Sequence, residues 1–363
     1  MNTLYIIGAV FIAAAGFFFF GSTPGAQSET IRIGAVLSLT GNASTDGLSI
    51  KRGIDLAVDD LKKRGTQVEV IYQDDGTDAK RTVSALQFLI ATENPDAVMG
   101  PTWSFLEDAV APVVKEAKIV AYAPANTSEF VSIQSHYQFQ GAPRNALKAD
   151  PIARWLKENN KKRVAIMVDK TPWGESNAKP FRAAALAAGA EIVIDETFPP
   201  FDSNVGGTIA TILAKAKAAD ADVVMWTGYD ADATALVQRR ETLDMQVPII
   251  AASTVYSSLL SRRVVTAEQL HDVYSVDAPA SADFVTKFEA KYGEKPNNFA
   301  DRAYDGTMML VEALQNAKTK DGDDIANYLR NNLTYARDGQ SYKFNENGDL
   351  IGGEWVVKQV IEQ

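Results

Sequence analysis

Short apolar runs alternate with amphipathic helical stretches along most of the chain, and this alternation limits the possible fold more than any other feature. Ile31-Arg32-Ile33-Gly34-Ala35-Val36-Leu37 reads as a buried strand, closed by Ser38-Leu39-Thr40-Gly41. A helix from about Asp46 carries Ile50, Ile54, Ala57, Val58 and Leu61 at helical spacing. Val68 to Tyr72 is the next strand, stopped by Asp74-Asp75-Gly76, and a helix is expected from Asp78 to about Ala91. Two further short strands, 97–99 and 119–122, flank one helix. Repetition of this kind makes parallel sheets with helices on both faces, an α/β fold.

The rhythm restarts after a loop expected at Gly141-Ala142-Pro143-Arg144. Strands over 163–168, 191–197, 223–226 and 247–251 are separated by helices, with no close internal sequence repeat. Three successive helices follow (281–292, 299–317 and 323–333), then Tyr342-Lys343-Phe344, a turn at Asn347-Gly348 and a strand over 355–360. Helices returning to one lobe and a last hairpin returning to the other give two discontinuous Rossmann-like lobes. The expected division is 31–142 with 278–338 for the first lobe and 143–277 with 339–363 for the second. The chain would cross between them near 141–145, 276–280 and 337–352, three hinge crossovers with a ligand cleft between the lobes.

In open α/β sheets ligands sit outside the carboxyl ends of the strands. Two such ends are informative here. Gly100-Pro101-Thr102-Trp103-Ser104 ends the third strand, and Ser104 with Glu107 makes the pattern of a capping box. Ala123-Pro124-Ala125-Asn126-Thr127 ends the fourth. Capping alone would account for Ser104, and a turn for Thr127. Their positions on consecutive strand ends nevertheless supply two hydroxyls and free backbone N–H groups suited to a carboxylate. Trp103, Trp173 and Tyr229 fall in loops, where a bulky ring must pack on something, whereas Trp226 falls inside a strand and reads as core. Hydroxyls on one lobe facing aromatics on the other fit a small organic ligand.

Composition removes most alternatives. The 363 residues carry 36 basic against 46 acidic side chains, a net charge of -10, which argues against nucleic acid. There is no Cys, so disulfides, thiolate metal sites and cysteine nucleophiles are excluded. His136 and His271 stand alone, Asp74-Asp75 sit where turn-forming carboxylates are expected, and no glycine-rich phosphate loop opens a helix. Lys161-Lys162-Arg163 and Asn297-Asn298 read as solvated turns. No catalytic constellation, metal site or cofactor site can be assembled, so the chain reads as a binding protein and not an enzyme. Leu4 to Phe20 is uncharged and apolar. At ~1.5 Å per residue it spans about 26 Å as a helix, close to a ~30 Å hydrocarbon core. Residues 1–28 therefore read as a signal peptide, or as a retained inner-membrane anchor, with a linker. Both place the remainder outside the cytoplasm, in the periplasm or the extracellular space.

Taken in order, several segments resemble the substrate-binding proteins of ABC transporters for branched-chain amino acids and amides, with the type I periplasmic-binding fold. They are Ile33-Gly34-Ala35 with Ser38 to Gly41, Gly53 to Ala57, Tyr72 to Asp75, Gly100 to Ser104, Ala123 to Thr127, Tyr292-Gly293 with Pro296, Ala303-Tyr304-Asp305, and Phe344 to Asp349. The resemblance implies that Ser104, Thr127 and backbone at Ala125 hold a ligand carboxylate, with Trp173 and Tyr229 closing from the second lobe. It also exposes a departure. Such proteins often hold an ammonium with an acidic residue after the strand that here ends at Ala251, and Ala252-Ser253-Thr254-Val255 has none. Asp46 or Asp230 would substitute, with Thr254 in the same loop region; otherwise the ligand lacks an amine. The implied partner is an ABC permease; an anchored sensor or an accessory subunit of another membrane complex is the alternative.

Overall fold

The computed structural model describes residues 30–128 and 133–362. The apolar segment from Leu4 to Phe20, with the signal or anchor reading placed on it, lies outside the described residues. Among those described, no helix is long and apolar enough to cross a membrane.

The first sheet is built from β1 (Ile31–Leu37), β2 (Val68–Asp74), β3 (Ala97–Met99), β4 (Ala121–Ala123), β5 (Gln138–Pro143), β13 (Lys343–Phe344) and β14 (Asp349–Ile351), in the spatial order β13-β14-β5-β4-β3-β1-β2. Every pair is parallel except β13 with β14. Its faces are covered by α1 (Ser44–Lys63), α2 (Ala79–Phe88), α3 (Ser104–Ala117), α9 (Ala282–Tyr292), α10 (Ala300–Asn316) and α11 (Gly322–Asn331). β1, β3 and β4 are almost wholly buried, which explains why they read as continuous apolar runs and not as alternating ones. The Asp78 carboxylate caps α2 by accepting from Lys80 and Arg81 N–H groups. Gly53 lets α1 lie against α10, because a Cβ there would fall 2.0 Å from the Ala300 carbonyl oxygen.

The second sheet has the order β15-β10-β9-β8-β6-β7, from β6 (Arg163–Asp169), β7 (Glu191–Phe198), β8 (Val223–Trp226), β9 (Ile249–Ala251), β10 (Val273–Asp277) and β15 (Val356–Gln359), with only β15 antiparallel to its neighbour. Around it pack α4 (Ala149–Glu158), α5 (Pro172–Ala188), α6 (Val205–Ala218), α7 (Asp230–Thr242) and α8 (Val255–Ser261), with an apolar cluster on each face. A small ribbon of β11 (Ala336–Arg337) and β12 (Gln340–Ser341) completes the described strands. The chain is thus α/β with two parallel-rich sheets.

Two boundaries differ from the sequence reading. The loop expected at 141–144 is largely strand, since β5 runs to Pro143 and pairs with β4 and β14. The hairpin at 343–351, assigned from sequence to the second lobe, joins the first sheet instead. Phe344 and Leu350 bury into the first core, where the Phe344 ring lies edge-on to Phe139 and Tyr122. Only β15 continues to the second sheet. The chain therefore passes between sheets after β5, after β10 and between β14 and β15.

Candidate functional site

The carboxyl ends of the parallel strands meet across a cleft between the two sheets. All nine candidate residues line it: Asp46, Trp103, Ser104, Ala125 and Thr127 from the first lobe, and Trp173, Tyr229, Asp230 and Thr254 from the second. Each follows a strand. Asp46 is in the first turn of α1, Trp103 and Ser104 begin α3, and Ala125 and Thr127 leave β4. Trp173 opens α5, while Tyr229 and Thr254 occupy the N-caps of α7 and α8.

The capping box expected from Ser104 and Glu107 does not form. Trp103 is the N-cap and makes no side-chain cap bond. Glu107 is buried and receives the Asn126 amide and Gln138 Nε2, the latter at 3.3 Å. Desolvation pushes its carboxyl up to about 8, against the opposing hydrogen bonds. Asn126 Oδ1, oriented by this contact, accepts from Ser104 Oγ at 2.5 Å and from Ser128 N at 2.8 Å. Ser104 has therefore committed its proton. Thr127 has not: its Oγ1 is buried and finds no hydrogen-bond partner among the described residues. A hydroxyl in that condition costs ~1–3 kcal/mol until something pairs with it.

The lobes touch across the cleft. Trp103 packs on Tyr229 with centroids 4.5 Å apart and lies nearly parallel to Phe201 at 6.4 Å; within the second lobe, Trp173 is 5.8 Å from Tyr229. Polar links cross as well: Thr254 Oγ1 donates to Asn298, and Ser128 Oγ donates to the Pro172 carbonyl at 3.3 Å. Trp103 Nε1 donates to Asp46 Oδ2 at 2.9 Å. Burial raises the Asp46 carboxyl to about 6, the Trp103 bond opposing and Asp230 adding to the rise. Asp230 itself is paired with Arg262. Asp46 is consequently the less neutralised of the two carboxylates.

A family model described as periplasmic binding protein matches residues 30–360. The chain belongs to the periplasmic binding protein family. This is a family of binding proteins and not of enzymes. Among its relatives, the Leu/Ile/Val-binding protein homolog 2 of Brucella abortus is 24% identical over 344 residues, covering 92% of this chain and 91% of that one. Two solved structures share the fold. The branched-chain amino acid transporter substrate binding protein LivJ from Streptococcus pneumoniae, in complex with isoleucine, has a TM-score of 0.73 at 24% identity, over 91% of this chain and 100% of that one. A solute binding protein of an ABC transporter from Rhodopseudomonas palustris, in complex with 3,4-dihydroxy benzoic acid, has a TM-score of 0.76 at 20% identity, over 91% and 96%.

This periplasmic binding protein also places in the cleft residues that sequence reasoning missed. Lys148, Asn298, Phe299, Arg302 and Trp355 line it, and Phe201 stacks at its rim. Asn298, whose sequence context reads as a solvated turn, bonds to Thr254 and is a cleft residue instead. The one sequence signal for any of these was Phe201, an aromatic after a Pro-Pro strand end. In contrast, the Asp74-Asp75 pair behaves as the turn reading expects. Asp74 Oδ1 accepts from the Leu39, Thr40 and Gly76 N–H groups, and Asp75 Oδ1 from Ser38 Oγ and the Thr77 N–H. Among the described residues, no group of three or more His, Cys, Asp or Glu side chains could hold a metal ion.

Proposed function

We propose that this protein is an extracytoplasmic solute-binding protein that captures a small carboxylate-bearing ligand between its lobes and presents the closed form to an ABC permease. The observation that carries the reading is the buried, unpartnered Thr127 hydroxyl, set beside Ser104 and the Ala125 backbone in a cleft lined from both lobes. The leftover N–H groups at the start of α3 add donors on the same side. From the second lobe Trp173 and Tyr229 supply apolar faces. The relatives' names, Leu/Ile/Val-binding protein and ABC transporter substrate binding protein, favour an amino acid or a related acid, and the family favours the periplasm. Asp46 stands as the candidate partner for a ligand ammonium.

A thermal-shift screen followed by calorimetry tests this, using branched-chain amino acids, amides and small mono- and dicarboxylates. The expected result is one-to-one binding by at least one carboxylate, together with a smaller radius of gyration in solution scattering. Failure of every carboxylate to bind would refute the reading, as would binding that survives Ser104→Ala combined with Thr127→Ala.

A further inference from the structure

We propose that Lys148 forms a second anion subsite at the hinge end of the cleft, so that the ligand is a small acid carrying two anionic groups. This rests on the reading that the first carboxylate docks at Thr127. Lys148 ends the short turn Asn145–Lys148, just after the chain leaves the first sheet, and is 1% exposed. Its Nζ donates to Asn177 Oδ1 at 2.9 Å and to the Ala252 carbonyl at 2.8 Å. Both acceptors are neutral. An ammonium has three protons to place, and among the described residues no carboxylate lies within ion-pair distance of this one. Its charge is unfavourable in such burial unless an anion arrives.

Two further observations point the same way. The Lys148 Nζ lies 4.4 Å from the centre of the Trp355 ring, and the Arg302 guanidinium lies 5.6 Å from the same ring. The indole is fixed by its Nε1 bond to the Arg144 carbonyl at 3.1 Å. Two cations share one aromatic ring and a cleft wall, with Asp277 the carboxylate that lines this end. Asp277 feels both Arg302 and Asp301, so the charge left without a carboxylate partner among the described residues is that of Lys148. Moreover, Ala252 begins a loop, Ala252-Ser253-Thr254-Val255, that carries no carboxylate. In that loop the protein directs a carbonyl at its own ammonium. The local polarity is opposite to what a ligand amine requires, and it matches a carboxylate.

The test compares the wild-type protein's affinities for unbranched dicarboxylates of three to six carbons with those for monocarboxylates of equal length and for leucine. Calorimetry is the readout. The best dicarboxylate should bind at least about tenfold more tightly than its monocarboxylate counterpart, the worth of one charge-assisted contact. Lys148→Met should reduce that ratio to within about threefold, and Lys148→Arg should retain more of it. The wild-type ratio stands as a test by itself should Lys148→Met not fold. Monocarboxylates or leucine binding as tightly as every dicarboxylate would overturn the subsite, as would a preference that persists in Lys148→Met. These outcomes differ from failure of the first carboxylate site, in which no acid of either series binds.

Discussion

Replacing Thr127 by Val separates a ligand-binding hydroxyl from a structural one, because the two roles predict opposite signs for stability. Thr127 Oγ1 is buried and unpartnered among the described residues. Exchanging it for a methyl group of similar shape therefore removes a desolvation cost of ~1–3 kcal/mol and breaks no protein hydrogen bond. The ligand-free Tm should hold or rise, by about 2 °C for each kcal/mol in a chain of this size. Binding should weaken, since a hydrogen bond to a charged group contributes ~1.5–3 kcal/mol, equivalent to about 10- to 150-fold in Kd. Differential scanning calorimetry reads the first quantity and titration calorimetry the second. Ser104→Ala is the control. It removes the bond to Asn126 Oδ1, which the Ser128 N–H still partly satisfies, so it should lower Tm slightly and reduce affinity less than Thr127→Val. A Thr127→Val protein that melts several degrees lower while keeping wild-type affinity would refute this reasoning.

Two other perturbations have defined outcomes. Glu107 is held near 8 in the fold against an ordinary 4.5; the folded chain keeps a proton that the unfolded chain loses between those values, so its contribution is full below about 4.5 and is lost as pH rises through about 8. Glu107→Gln should therefore show a smaller drop in Tm between pH 5 and pH 8 than the wild type, with a residual slope from Asp305, raised to about 7 by burial, and from Asp46, Asp169 and Asp232, each raised to about 6, and equal drops would show that Glu107 ionises normally. Phe201→Ala removes a ring lying 4.7 Å from Tyr229 and 6.4 Å from Trp103; at ~0.5–1.5 kcal/mol for an aromatic pair, affinity should fall about 2- to 10-fold and solution scattering should show a larger ligand-free radius of gyration, whereas unchanged values would mean that the rings do not hold the lobes together.

The strand ends were legible in the sequence, and with them the positions of the candidate residues. Once the alternation defines parallel strands, the loops after β1, β3, β4, β6, β8 and β9 must emerge on one side of their sheets, so residues such as Asp46, Thr127 and Tyr229 share a cleft by topology. What could not be read depends on burial and on contacts distant in sequence. Lys148 looks like any surface lysine at the start of a helix, and only the approach of Asn177, Ala252 and Trp355 buries it. Trp355 meets the Arg144 carbonyl across more than half the chain, with no local pattern to signal it. Glu107 misled because Ser-x-x-Glu is a good local cap; Asn126 and Gln138, both from later in the chain, drew its carboxyl into the interior. The hairpin of β13 and β14 was assigned to the wrong sheet because its strands are too short for periodicity to indicate a face.

On the proposed reading, the division of labour between the lobes would determine what a ligand does to the conformation. Each sheet has its own apolar clusters, so each lobe packs around a core of its own. The contacts that cross the cleft are a row of aromatic rings and a few hydrogen bonds to hydroxyls, such as Thr254 with Asn298 and Arg262 with Thr45. Each is a modest term of ~0.5–1.5 kcal/mol, and opening exchanges most of them for water. A ligand that meets Thr127 from one side and Trp173 and Tyr229 from the other makes both sets of contacts only when the lobes are together. Its affinity for the closed form must then exceed that for the open form by the worth of the second set, and this difference alone shifts the population. On the proposed reading, closure would follow from residues contributed by both lobes and would require no strained or stored state.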